Sequence, residues 1–122
     1  MNIEKMVEIG LLFEQYKELL TSKQREIVSL YYDEDYSLGE ISENLSVSRQ
    51  SVYDTLKRSE KILREYEDKL HLVSRIQEQE SKIKLINDKV LDIKKDLLRN
   101  MDCADLIPKL KNIEDLCREM IK

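Results

Sequence analysis

A chain of 122 residues with a net charge of −4 suits one domain with an appended arm, and is long enough to bury a core. Charged residues at 38% and hydrophobic ones at 41%, with two Gly, one Pro, one Phe and no Trp, leave little material for hairpins or long loops and point to a helical chain with solvated faces. No secretory h-region and no apolar run near the ~18 residues of a membrane span is visible, which predicts a cytoplasmic protein without membrane insertion.

In chain order, Met6, Ile9, Phe13, Tyr16 and Leu20 recur at spacings of three and four, which predicts an amphipathic helix over 3–20. Thr21 or Ser22 caps the next helix, Thr21 and Gln24 having capping-box spacing, and its apolar face runs through Ile27, Val28, Leu30 and Tyr31 into the acidic stretch DEDY. Ser37-Leu38-Gly39-Glu40 is a second capping box, opening a short helix with Ile41 and Leu45 on one face. After the Leu45-Ser46-Val47 turn, Ser48 caps a helix beginning at Arg49. Two helices with so tight a link have helix-turn-helix spacing.

The helix from Arg49 carries Val52, Leu56, Leu63, Tyr66 and Leu70 on one side, and its phase changes around Lys69–Ser74. Leu72, Ile76, Gln79, Ile83, Ile86, Val90, Ile93 and Leu97 then alternate spacings of four and three, a heptad seam broken only by Gln79. Asn100-Met101-Asp102 reads as a turn, after which Leu106, Leu110, Ile113, Cys117 and Met120 resume the alternation. Pro108 is tolerated in a first turn. The fold class is therefore all-α, with a helix-turn-helix domain over 1–70 and a heptad-patterned helical hairpin over 71–122. The second arm is too short to cover the first, so the N-terminal domain, a second copy or a partner must complete it. We expect a homodimer. Cys103 and Cys117 are expected to be reduced, with Cys117 packed in a core.

Catalytic residues, cofactors and metal ligands are all predicted to be absent. His71 is the only histidine and reads as a surface residue at the phase change. Gly10 and Gly39 sit in helical contexts and make no phosphate loop.

Nucleic acid is the more promising ligand. Residues 1–36 hold eight acids (Glu4, Glu8, Glu14, Glu18, Glu26, Asp33, Glu34, Asp35) against four bases (Lys5, Lys17, Lys23, Arg25). Residues 46–64 reverse the balance, with five bases (Arg49, Lys57, Arg58, Lys61, Arg64) against two acids (Asp54, Glu60). The candidate contacts are Arg49, Gln50, Tyr53, Lys57, Arg58, Lys61 and Arg64. Arg49 and Gln50 stand where a groove-reading helix places its base contacts, and the later bases suit phosphates. Asp54 in mid-face repels phosphate and argues against a promoter reader, whereas helical RNA, held mainly by shape and backbone, tolerates it better.

The string LTSKQREIVSLYYDEDYSLGEISENLSVSRQSVYDTLKRSEKIL resembles region 4 of bacterial sigma factors. Residues 5–72 resemble more closely the YlxM family of helix-turn-helix proteins of Gram-positive bacteria, most characteristically in LYYDEDYSLGEIS and VSRQSVYDTLKR. That resemblance implies a sigma-region-4-like domain with a helical extension. It also implies partnership with the RNA and the GTPase subunit of the signal-recognition particle, as an accessory of co-translational targeting. Tyr53 and Asp54 depart from the basic or amide residues of sigma factors. The alternative reading is a DNA-binding, dimeric transcriptional regulator, and a third is a purely protein-binding adaptor.

Overall fold

The computed structural model describes residues 2–99 and 103–121, and every regular element in them is helical. Helix α1 (Ile3–Tyr16) starts where the Asn2 side chain accepts from the Glu4 N–H at 2.9 Å. It stops four residues short of the expected end, in a 3₁₀ turn over Lys17–Leu19. There the chain extends at Leu20, whose side chain enters the core, before Thr21 caps α2 (Ser22–Val28). The Thr21 box is complete: its hydroxyl accepts from the Gln24 N–H at 3.2 Å, and its own N–H donates to the Gln24 side chain at 3.1 Å.

A widened π-helical turn (Ser29–Asp33) follows α2 and swings Tyr31 and Tyr32 against one another, edge to face at 5.0 Å. The Ser37 box, with bonds of 3.1 and 3.2 Å, opens α3 (Leu38–Leu45). Ser46 closes α3 in the left-handed conformation (φ 56°), and the Ser42 hydroxyl donates to the Val47 carbonyl at 2.6 Å, tightening the turn. Ser48 then accepts from the Ser51 N–H at 3.0 Å and starts α4 (Arg49–Leu70). The helix-turn-helix expected from the caps is thus formed.

Val52, Leu56 and Leu63 of α4 are buried at the centre of the N-terminal unit, with Ile9, Phe13 and Tyr16 of α1, Ile27 and Val28 of α2, and Ile41 of α3 around them. Ser59 and Glu60, polar residues that the apolar period does not mark, are buried too. Ser59 returns its hydroxyl to the Thr55 carbonyl at 2.7 Å.

His71 ends α4 with a left-handed residue (φ 55°), so α4 does not run on into α5 (Leu72–Leu98). The chain divides into two compact units after Val73, three residues beyond the boundary drawn from the pattern. The reason is local. The first amides of α5 are satisfied from the N-terminal unit: the Leu72 N–H donates to the Tyr16 hydroxyl at 3.1 Å and the Val73 N–H to Glu67 Oε1 at 3.0 Å. Tyr16 in turn donates to Glu67 at 2.5 Å, and burial followed by that carboxylate raises the tyrosine's pKa.

The second unit, from Ser74, pairs α5 with α6 (Ile107–Ile121), which follows a 3₁₀ turn over Cys103–Leu106 and carries Pro108 in its first turn. The expected turn at 100–102 lies outside the described residues. Lys82 meets Glu119 at 3.7 Å, while Lys109 bonds Asp96 and lies 3.9 Å from Asp92, so the two helices are antiparallel.

The seam differs from the heptad expectation. On α5, Ile86 and Ile93 face α6 together with Lys82, Lys89 and buried Asp96, leaving Ile83, Val90 and Leu97 exposed. On α6, Ile113, Leu116 and Met120 are half-buried, while Leu110 and Cys117 are exposed, so Cys117 is not packed in a core as expected. Ion pairs run along one edge of the hairpin. The inward stripe of α5 holds two isoleucines beside Lys82, Lys89 and Asp96, and the more apolar stripe next to it faces outward.

Candidate nucleic-acid interface

The seven predicted residues all lie on α4, and all are exposed. Their surroundings divide them. Glu60, one turn behind Lys57, is only 2% exposed, and an isolated carboxylate so buried would be costly. It is satisfied by the Tyr32 hydroxyl, by Lys5 at 3.3 Å and by Lys57 at 3.5 Å. Burial alone would raise the Glu60 pKa. The Tyr32 hydroxyl and the two ammonium groups outweigh it and hold the carboxyl below the usual range. On the same grounds of burial and a neighbouring carboxylate, the Tyr32 hydroxyl is pushed far above its ordinary pKa. Lys57 is therefore part of a structural ion cluster, with its ammonium also 5.5 Å from the centre of the Tyr53 ring. Arg64 is likewise engaged, its Nε donating to Glu8 of α1 at 2.9 Å.

Arg49, Gln50, Arg58 and Lys61 remain on the outer side. Gln50 donates its amide to Asp54 at 2.9 Å, one turn along, so the acid at mid-face is partly occupied by a neutral neighbour. Arg49 lies back across the first turn of α3. A methyl group added to Gly39 would sit 2.8 Å from one guanidinium nitrogen and 3.1 Å from its carbon. The absence of a side chain at Gly39 thus leaves the space that the Arg49 head group occupies.

A polar notch of about 520 Å³, not legible in the sequence, lies where the start of α2 meets the start of α4. Thr21, Lys23 and Gln24 line one wall, and Gln50, Asp54 and Arg58 the other. Lys23 joins the basic residues of α4 there. Its only signal in the sequence was its place beside a cap, since nothing local says that two helix starts will adjoin. Among the described residues no group of three or more His, Cys, Asp or Glu side chains is placed to hold a metal ion, and no helix is long and apolar enough to cross a membrane.

Comparison with known proteins agrees with this architecture. Residues 3–102 match the family model described as "Putative helix-turn-helix protein, YlxM / p13 like". A UPF0122 protein of Lactiplantibacillus plantarum is 46% identical over 93% of this chain and 96% of its own length. One from Limosilactobacillus reuteri is 58% identical over 63% of this chain and 68% of its own, and one from Listeria welshimeri 43% identical over 91% and 98%.

Proposed function

This chain belongs to the YlxM/p13-like family of helix-turn-helix proteins, and we propose that it is a non-catalytic accessory of the signal-recognition-particle pathway that binds the particle's RNA and its GTPase subunit. It works in the cytoplasm, as a homodimer. The observation that carries the RNA reading is the composition of the outer side of α4. Arg49, Arg58 and Lys61 stay available for phosphates, while Lys57 and Arg64 are engaged by Glu60 and Glu8. A face with so few bases and an Asp in its middle suits recognition by backbone and shape better than base-by-base reading. Lys23, across the notch, adds one more phosphate contact.

A second reading, a DNA-binding regulator, is favoured by Arg49 and Gln50 at the first turn of the outer helix, where bidentate contacts to guanine and adenine are made. One experiment separates the two. Binding of particle RNA and of random duplex DNA is compared at a fixed salt concentration, with an Arg58→Glu/Lys61→Glu variant beside the unaltered protein. Salt-sensitive RNA binding that collapses in the variant supports the first reading. Tight preference for one short duplex sequence replaces it with the second. If neither nucleic acid binds and the GTPase does, the protein is an adaptor.

A further inference from the structure

We propose that the open edge of the α5–α6 hairpin is covered by the same edge of a second copy of this chain, stacked so that α5 runs antiparallel to its counterpart and α6 to its own. The hairpin's two edges are unlike. One is closed by Lys82–Glu119 and by Lys109 with Asp92 and Asp96. The other shows Ile83, Val90 and Leu97 of α5 at 47, 43 and 54% exposure, beside Leu110 of α6 at 49% and exposed Cys117. Such a row at heptad spacing on a helix already packed along its neighbouring stripe is a seam without its other half.

The charges beside the row identify the occupant. Glu80, Asn87 and Lys94 follow one another at intervals of seven residues on the outer flank of that seam, and all are exposed. Negative, neutral, positive is a sequence that becomes its own complement when reversed. A two-fold axis at Asn87 therefore sets Glu80 of each copy against Lys94 of the other. The ion pairs within the hairpin place residue 87 level with about residue 116 of α6, since 82 lies by 119 and 96 by 109. On α6 the exposed Glu114 and Arg118, which already meet each other at 4.0 Å, lie either side of that level, so the same axis lays this pair beside its own reverse. The self-complementary order Glu80, Asn87, Lys94, with the Glu114–Arg118 pair lying against its own reverse, argues for self-association over an unrelated partner.

The 15 residues of α6 run about 22 Å at ~1.5 Å each, and helices 8–10 Å apart make a face about 20 Å wide. That is roughly 440 Å² per partner in projection, about half of a standard interface, so the face suits a weak, concentration-dependent dimer. The inference deepens the homodimer reading given above by naming its surface and orientation.

The test measures mass by light scattering and sedimentation of the full chain at 1–100 µM, with helicity followed by circular dichroism. The unaltered protein is expected to be a dimer, and a monomer throughout that range overturns the proposal. Val90→Glu, at an exposed position that leaves the fold of the single chain intact, is expected to be helical and monomeric. A dimer unaffected by it overturns the face while sparing the homodimer reading. Lys94→Glu is expected to weaken association about tenfold, by replacing two symmetric attractions with repulsions. Glu80→Lys combined with Lys94→Glu is expected to restore it. If the double variant is as weak as the single one, the antiparallel orientation is wrong.

Discussion

Replacing Gly39 with Ala separates stability from nucleic-acid contact at one position. Gly39 is the second residue of α3, and Ala is preferred there by about 0.5–1 kcal/mol because Gly has more conformational freedom to lose. The new methyl falls 2.8 Å from a guanidinium nitrogen of Arg49, too close for both to stay. Arg49 is exposed and its head group is the far end of a flexible chain, so it moves and the backbone does not. The variant should therefore melt roughly 2–8 °C higher, given the scale for a unit of this size. Particle-RNA binding should nevertheless weaken by about three- to tenfold, through loss of a positioned, charge-assisted contact. Thermal melts by circular dichroism and filter binding at fixed salt measure the two effects. Arg49→Ala and the double variant complete a cycle in which the double should bind no worse than Arg49→Ala alone. Two results would refute the reasoning: a lower melting temperature, meaning that the site has no room for a methyl after all, or unchanged binding by Gly39→Ala when Arg49→Ala binds weakly.

Other expectations follow from the same contacts. Lys61→Glu should weaken RNA binding more than Arg64→Glu, because Arg64 is already engaged by Glu8, and the dependence of affinity on salt should flatten only for Lys61. Glu60→Gln should destabilise the N-terminal unit by about 2–3 kcal/mol, below the ~3–5 typical when a fully buried pair is broken, since Lys5 and Lys57 reach solvent. Because the Glu60 pKa is lowered on folding, its contribution is complete above the unfolded value near 4.5 and is lost as pH falls through the lower folded value. Melting temperatures between pH 7 and pH 3 should show that acid slope in the unaltered protein and a shallower one in the variant. Ser46→Gly should raise stability by about 1 kcal/mol in denaturant titration, since Ser46 is left-handed at φ 56°, and should leave RNA affinity unchanged.

Much of the helix-turn-helix was legible because its determinants are local. The Thr21–Gln24 and Ser37–Glu40 boxes and the Ser48 cap each act within four residues, and Val52, Leu56 and Leu63 betray their shared face by period alone. What escaped depends on distant partners. Glu60 looked like an ordinary surface acid because Tyr32 and Lys5 lie 28 and 55 positions away in the chain, and Arg64 looked available because Glu8 is 56 away. The hairpin seam escaped in a related way. Apolar residues at 83, 90 and 97 and aliphatic stems at 82 and 89 form adjacent stripes, and the inward one is defined by contacts with α6, whose partners Lys109 and Glu119 lie 13 or more positions away. Of the candidate contacts, the residue types and their helix were readable, whereas the division between engaged and available bases was not.

The bonds at the start of α5 decide where this protein can be cut. An expression fragment ending at residue 70 keeps the whole helix-turn-helix, yet removes the two peptide groups that donate to the Tyr16 hydroxyl and Glu67. It also removes Val73, whose side chain closes one end of the apolar core. Such a fragment would leave a tyrosine–carboxylate pair facing water at a freshly opened end. A fragment extended by a few residues past Val73 retains both donors and that side chain. The smallest self-sufficient piece of the N-terminal unit therefore includes the first turn of a helix whose heptad pattern belongs to its neighbour.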